Sequence, residues 1–274
     1  LARALEAEQA GRVRALVARR GGAPPRLAIL LVGADRTAVR HAEKKVEACR
    51  RAGLEASLVA LPHRATTAAV LAELDRLNRD PRTHGVFLQY PLPGHVDERR
   101  CFDRIAAAKD VDGVATLSFG RLALGGTGGT AFAAAVAAGI LRLLAHHRID
   151  VAGRAALVAG TSLTVARPIA MLLLRADATV TVCSAGAPDL ERLVRRSAVV
   201  VGAAGSPELI RGDWIADGAV VIDTGYHAGA RGARGARGAR GDIELTAAAA
   251  ARCLAYTPVP GGTGPMTIAA LLDH

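Results

Sequence analysis

Short apolar runs bounded by glycine and proline alternate along the chain with stretches whose apolar residues recur at helical spacing. "RLAILLVG", starting at Arg26, reads as a buried strand, and the stripe that follows it as a helix. "EASLVALP" is a second strand, "TTAAVLAELDRLNRD" a helix, and "HGVFLQYPLP" a strand entering a proline-rich loop. The rhythm returns after "GRLALGGTGG" (residues 120–129). There "AAAVAAGILRLLAHH" is a helix, "RAALVAG" a strand and "RPIAMLLLRA" a helix. "ATVTVCS", "VVVGAAG" and "GAVVIDTG" are further strands. Such alternation predicts an α/β protein with parallel sheets covered by helices on both faces. Two runs predict two lobes with a cleft between them. Residues 230–241, "ARGARGARGARG", break the pattern; lying between "AVVIDTG" and a strand-like "DIEL", they are expected to lengthen a hairpin loop.

The helix after the first strand contains "VRHAEKKVEACRRAG". Val39, Ala42, Val46, Cys49 and Gly53 form its apolar stripe, and Arg40, Lys44, Glu47 and Arg51 a charged face opposite. Lys44 belongs to that face, with Glu47 as its expected ion-pair partner. Lys45 lies at the border of the apolar stripe, one turn after His41. There it either snorkels to water or projects into a cleft with its amine poised by burial.

Composition sharpens this question. Lysine occurs only at positions 44, 45 and 109, against a background of arginine. A lysine amine can lose its proton where a guanidinium cannot, so each of the three asks for a reason. The net charge of +10 admits nucleic acid or an anionic small molecule as partner, but the arginines are scattered and aromatics make up only 3%. That disfavours nucleic acid. Cys49, Cys101, Cys183 and Cys253 show neither metal-ligand spacing nor a disulfide framework, so no metal is expected. No secretory leader and no apolar run of membrane length are visible, which makes a cytoplasmic protein without a membrane partner the expectation. The opening residue, Leu1 rather than Met, suggests a trimmed N-terminus.

Several stretches together resemble one family. They are "AILLVG" followed by "KKVEACRRAG", then "GVFLQYPLPGH", "KDVDGV", "VAGTSLTVARP", "IRGDWIADGAVVIDTG" and "YTPVPGGTGPMT". In order and separation they are similar to the bifunctional methylenetetrahydrofolate dehydrogenase/methenyltetrahydrofolate cyclohydrolase family, from residue 26 to the end. The resemblance implies a folate-binding catalytic domain at 1–119 with 257–274, and a Rossmann-like NAD(P)-binding domain at 120–256. It places the catalytic lysine at Lys45 and the family's tyrosine position at His41. The glutamine of the family's "VQLPLP" falls on Gln89, and the pterin-binding aspartate on Asp112. The folate-lining loop falls on Pro258, Val259, Pro260, Gly261 and Gly262. The cofactor turn falls on Gly160, Thr161, Ser162, Val165, Arg167 and Pro168, with Ser184 after the next strand.

These residue types suit the chemistry the resemblance implies. Oxidising 5,10-methylenetetrahydrofolate leaves a methenyl cation, whose hydrolysis needs water attack and proton transfers. An amine that can be neutral assists without repelling the cation. A carboxylate at Asp112 can accept the paired donors of the pterin edge, and Gln89 can orient Lys45 or the substrate. "TVCSAG" lacks the acid that would hold a ribose 2′-hydroxyl, which favours NADP, with NAD the alternative. The family also implies a homodimer.

The chain departs from the family pattern at four places. His41 stands for tyrosine, Ala38 for a nearby serine and Ala166 for the third glycine of the cofactor turn. The family's Pro-Cys-Thr-Pro segment aligns with residues 134–137, here all alanine apart from Val136. These changes bear most on the cyclohydrolase half. They also frame two alternatives: a diverged paralogue with another substrate, and a non-catalytic binding protein of the same fold.

Overall fold

A computed structural model describes residues 1–33, 35–125, 132–231 and 237–274. The chain divides into two compact units, Leu1–Ala135 with Ile268–His274, and Val136–Thr267.

The first unit opens with α1 (Ala2–Arg20) and continues through β1 (Arg26–Val32), α2 (Arg36–Ala52) and β2 (Glu55–Leu61). Then follow α3 (Thr67–Arg79), β3 (Gly85–Leu88), α4 (Glu98–Arg104) and α5 (Thr116–Ala123). The strands form a parallel sheet in the order β2-β1-β3. β1 is buried on both faces, as its unbroken apolar run requires. Its residues Ala28, Leu30 and Val32 pack with Val70, Leu74 and Leu77 of α3 and Phe102 of α4. α2 starts where Asp35 accepts the N–H groups of Thr37 and Ala38, at 3.0 and 2.9 Å, and stops at Gly53 with φ +81°.

The second unit contains α6 (Ala135–His146, its first residue at the boundary), β4 (Ala155–Ala159), α7 (Ala166–Arg175), β5 (Thr179–Cys183) and α8 (Leu190–Arg195). β6 (Val199–Gly202), β7 (Val220–Asp223), β8 (His227–Arg231), β9 (Arg237–Arg240), α9 (Ala247–Arg252) and β10 (Ala255–Tyr256) follow. α10 (Thr263–Asp273) begins here and ends in the first unit, with Pro265 in its first turn, where proline is tolerated. Five strands form a parallel sheet ordered β10-β7-β6-β4-β5, with Leu157, Val200 and Val221 in its core.

Three expectations are corrected. The division falls later than residues 120–129: α5 covers the start of that stretch and is anchored in the first unit by buried Leu122 and Ser118. Residues 126–129 lie outside the described residues. "DIEL" makes no strand, only a bridge from Ile243 to Ile210, because the N–H groups of Asp242 and Ile243 are donated to the Asp223 carboxylate. The Ala-Arg-Gly repeat does not merely lengthen a loop. It supplies β9, antiparallel to β8, while residues 232–236 lie outside the described residues. Among the described residues no helix is long and apolar enough to cross a membrane.

Candidate active site and cofactor turn

Lys45 does not snorkel. α2 buries Ala38, Ala42, Lys45, Ala48, Cys49 and Ala52, so its buried stripe sits slightly around the helix from the expected one, leaving Val39 and Val46 half-buried. Alanine at four of these positions lets the helix approach closely, and Lys45 is only 8% exposed. Its Nζ donates to Gln89 Oε1 at 3.0 Å and lies 4.4 Å from the centroid of the Phe87 ring. Gln89 is fixed in turn: it follows β3, its N–H donates to Leu30 O, and its Nε2 donates to Tyr90 O at 2.7 Å. Lys44 is exposed as expected, but Glu47 pairs with Arg51 instead, at 3.2 Å.

The two acids of "KDVDG" have opposite fates. Asp110 is a structural pin: its carboxylate accepts the N–H groups of Val114 and Ala115 and the Ser118 hydroxyl, the last at 2.6 Å. Asp112 is also buried, accepts hydrogen bonds from the Tyr90 hydroxyl and the Ala135 N–H, and retains one oxygen, Oδ2, with no partner. Gly113 after it has φ +66°, and a β-carbon there would overlap the carbonyl oxygen of Phe132, so the turn requires glycine.

Lys109 explains the third lysine. Its ammonium donates to three carbonyls at the end of α3, those of Leu77, Asn78 and Asp80, at 3.0, 2.8 and 2.8 Å. Three converging acceptors suit a compact ammonium rather than a planar guanidinium. The adjacent backbone ties this loop to β3 through Val86 N and Lys109 O at 2.8 Å. Sequence reasoning missed Lys109 as a clamp, and also Tyr90 and Phe87. The available signal was the rarity of lysine, and the tyrosine standing where the family has leucine in "VQLPLP".

Burial governs the electrostatics. It lowers the Lys45 amine to about 8, with the Asp112 and Cys49 charges acting in the other direction. Burial also raises Asp112 to about 7, opposed by Lys45 and assisted by Asp110. His41, half-buried one turn before Lys45, is lowered by burial and then by the Lys45 and Lys44 charges, against Asp35. The structure therefore brings Lys45, Gln89 and Asp112 into one buried polar cluster, with His41 electrostatically coupled to the lysine.

In the second unit the cofactor turn follows β4. Gly160 has φ +148°, donates to Cys183 O at 2.8 Å, and could not carry a β-carbon without overlapping the Ala203 carbonyl. Thr161 and Ser162 are exposed. The Ser162 hydroxyl accepts the Ala166 N–H at 3.0 Å, satisfying one of the orphan donors that open α7. Val165 is the N-cap residue, Arg167 Nε donates back to Thr161 O at 3.2 Å, and Pro168 is buried in the first turn. The methyl of Ala166 is fully buried, so the missing glycine is absorbed into the helix–sheet core. Ser184 is exposed just past β5.

Pro258, Val259, Pro260, Gly261 and Gly262 belong to this unit and follow β10. Gly262 N–H closes the turn on Pro258 O at 2.8 Å, and Thr257 Oγ1 accepts the Asp223 N–H. Among the described residues no group of histidine, cysteine, aspartate and glutamate is gathered to hold a metal ion.

Comparisons with known proteins agree with both halves. Residues 1–112 match the catalytic domain of tetrahydrofolate dehydrogenase/cyclohydrolase, and residues 134–274 match its NAD(P)-binding domain. The chain is 48% identical to the bifunctional protein FolD of Acidobacterium capsulatum, covering 99% of this chain and 92% of that protein. It is 44% identical to that of Acinetobacter baumannii, at 99% and 93% coverage. Among solved structures, the Trypanosoma brucei methylenetetrahydrofolate dehydrogenase-cyclohydrolase, complexed with NADP and an inhibitor, has a TM-score of 0.91 at 33% identity. That match covers 99% of this chain and 92% of the other. The buried lysine–glutamine–aspartate cluster thus sits in the part of the chain that matches a catalytic domain, and on all these grounds the chain belongs to the tetrahydrofolate dehydrogenase/cyclohydrolase family.

Proposed function

We propose that this protein oxidises 5,10-methylenetetrahydrofolate to 5,10-methenyltetrahydrofolate with NADP and hydrolyses that product to 10-formyltetrahydrofolate. The observation that carries the reading is the buried cluster: a lysine with a lowered pKa held by Gln89, beside an aspartate with one unpartnered buried oxygen. Asp112 Oδ2 fits a ligand that brings N–H donors, as a pterin's aminopyrimidine edge does. Binding such donors favours the carboxylate form and fixes the ring. Gln89 aims the Lys45 amine. With its pKa near 8, that amine exists partly neutral at neutral pH and takes a proton from attacking water. It returns the proton to N5 of the substrate as the C–N5 bond of the tetrahedral adduct breaks, while the adduct's hydroxyl proton passes to solvent and leaves the formyl group on N10.

Bound NADP supplies the hydride acceptor. The turn fits a dinucleotide: Gly160 lets the backbone pack closely at the end of β4, Thr161 and Ser162 are open, and residues 184–187 directly after β5 include no acid to exclude a 2′-phosphate. Gly160, Thr161, Ser162, Val165, Arg167, Pro168 and Ser184 are the residues we assign to holding it. The loop of Pro258, Val259, Pro260, Gly261 and Gly262 is assigned to the folate. A cytoplasmic homodimer is part of the reading. Exposed Val182 on the edge strand β5 and Leu174 on α7, 44% and 54% exposed, supply apolar surface for association.

The test is absorbance-monitored turnover of 5,10-methylenetetrahydrofolate with NADP and with NAD, alongside light scattering for mass. Turnover faster with NADP, by a dimer, is the expected result. A folded protein inactive with both cofactors would contradict the assignment.

A further inference from the structure

Asp242 and His227 take no part in the reading above, yet they belong to a dense buried polar cluster of the second unit. His227 opens β8, at the base of the ribbon built from the Ala-Arg-Gly repeat. Its Nε2 lies 2.7 Å from Asp242 Oδ1, and the Asp242 side chain is 1% exposed. The other oxygen, Oδ2, accepts two backbone N–H groups, from Ala204 at 2.6 Å and Gly205 at 2.9 Å. Behind it stands Asp223, which accepts the N–H groups of Asp242, Ile243 and Gly225 at 2.9, 2.9 and 2.8 Å. Gly225 and Gly241 make this approach possible, because a β-carbon at either would overlap a carboxylate.

Residues 203–205 are the exit from β6, where Ala203 N–H donates to Ala159 O at 2.8 Å. The Ala203 carbonyl is the atom that a side chain at Gly160 would strike. The connection therefore runs from the ribbon, through an imidazole and a buried carboxylate, to the backbone packed against the first glycine of the cofactor turn. All of these residues belong to one unit.

We propose that Asp242, oriented by His227, is a positioning residue that holds residues 203–205 against Gly160 and so sets the shape of the NADP-binding turn. This rests on the assignment of that turn to NADP. Two N–H groups gathered on one carboxylate oxygen are the firm end of the device. With the carboxylate removed, both donors lose their partner and the 203–205 segment is free to shift. The imidazole is the adjustable end. It holds Oδ1, which lies against Gly225, in place, and it couples the ribbon to the turn. A histidine suits this because its Nε2–H reaches the carboxylate while the ring body stays packed.

The experiment is calorimetric titration of NADP into the wild type, Asp242→Ala, His227→Leu and His227→Asn, with amide hydrogen exchange at Ala204 and Gly205 in the unliganded protein. The expected Asp242→Ala result is NADP affinity weaker by about tenfold or more, corresponding to two unsatisfied donors. Fast exchange at Ala204 and Gly205 and an unchanged KM for the folate should accompany it. His227→Leu should follow in the same direction, while His227→Asn, which keeps a donor, should restore most of the affinity. Because Asp242→Ala can fail to fold, the histidine pair decides independently. Unchanged NADP affinity and unchanged exchange in folded Asp242→Ala or His227→Leu overturns the positioning role and leaves the NADP assignment intact. A wild type that binds no NADP overturns both.

Discussion

The lysine cluster of the first unit and the cofactor turn of the second are both buried and precise, but they are made of different materials. Around Lys45 the working parts are side chains: an amine, an amide and a carboxyl, taken out of water so that their protonation becomes adjustable. Around Gly160 the working parts are backbone groups, packed closely because a side chain is absent. The difference teaches where each kind of substitution should hurt. Removing atoms disables the first region, whereas adding atoms disables the second.

The largest effect should come from Lys45→Met, which keeps the stem and deletes the amine. We expect methenyl hydrolysis to fall by about a thousandfold, the range for loss of a positioned proton carrier, while calorimetric NADP affinity stays at the wild-type value. Loss of NADP affinity in this variant would break the contrast. Next, Gly160→Ala adds one carbon where the Ala203 carbonyl lies and where φ is +148°. A loss of about 3 kcal/mol in urea-measured stability is expected, along with weakened NADP binding. A neutral result there would mean the turn has slack that the structure does not show.

Two smaller effects sharpen the comparison within the first unit. Lys109→Arg keeps the charge but cannot place three donors on the carbonyls of Leu77, Asn78 and Asp80, so chemical denaturation should register a loss of about 1 kcal/mol. Tyr90→Phe removes the hydroxyl that lowers the Asp112 pKa. The carboxyl should then titrate higher than about 7, readable by carbon-13 NMR, and the folate KM should rise by about threefold. An Asp112 titration that stays put would show that the hydroxyl is not its partner.

Much of this was legible in the sequence, and the reasons differ by region. Alternating apolar runs fixed the parallel α/β class because buried strands leave little choice of side chain. The rarity of lysine in an arginine-rich chain singled out Lys45 as a candidate, and the resemblance to the family pointed to Lys45, Gln89 and Asp112. What the helical pattern left open was whether Lys45 reaches water. Four alanines on the buried face decide that, by letting α2 pack closely, and periodicity does not register side-chain volume. The role of Asp110 as a pin was not legible, because it depends on which backbone donors surround its carboxylate. "DIEL" misled because its composition suits a strand while its donors are captured by Asp223, a residue about one ribbon away in sequence. The His227–Asp242 contact was likewise invisible, its partners being separated by the repeat.

The central claim is that Lys45 is an amine brought toward neutrality by burial and restrained by Asp112. Its most direct test is the pH dependence of cyclohydrolase turnover in the wild type and in Asp112→Asn. A lowered lysine pKa makes the neutral base available as pH rises through about 8, so the wild-type rate should climb through that region and level off above it. The Asp112 charge is the largest influence raising the Lys45 pKa against burial, so the limb should move to lower pH in Asp112→Asn. A limb that stays in place, or moves to higher pH, would contradict the account.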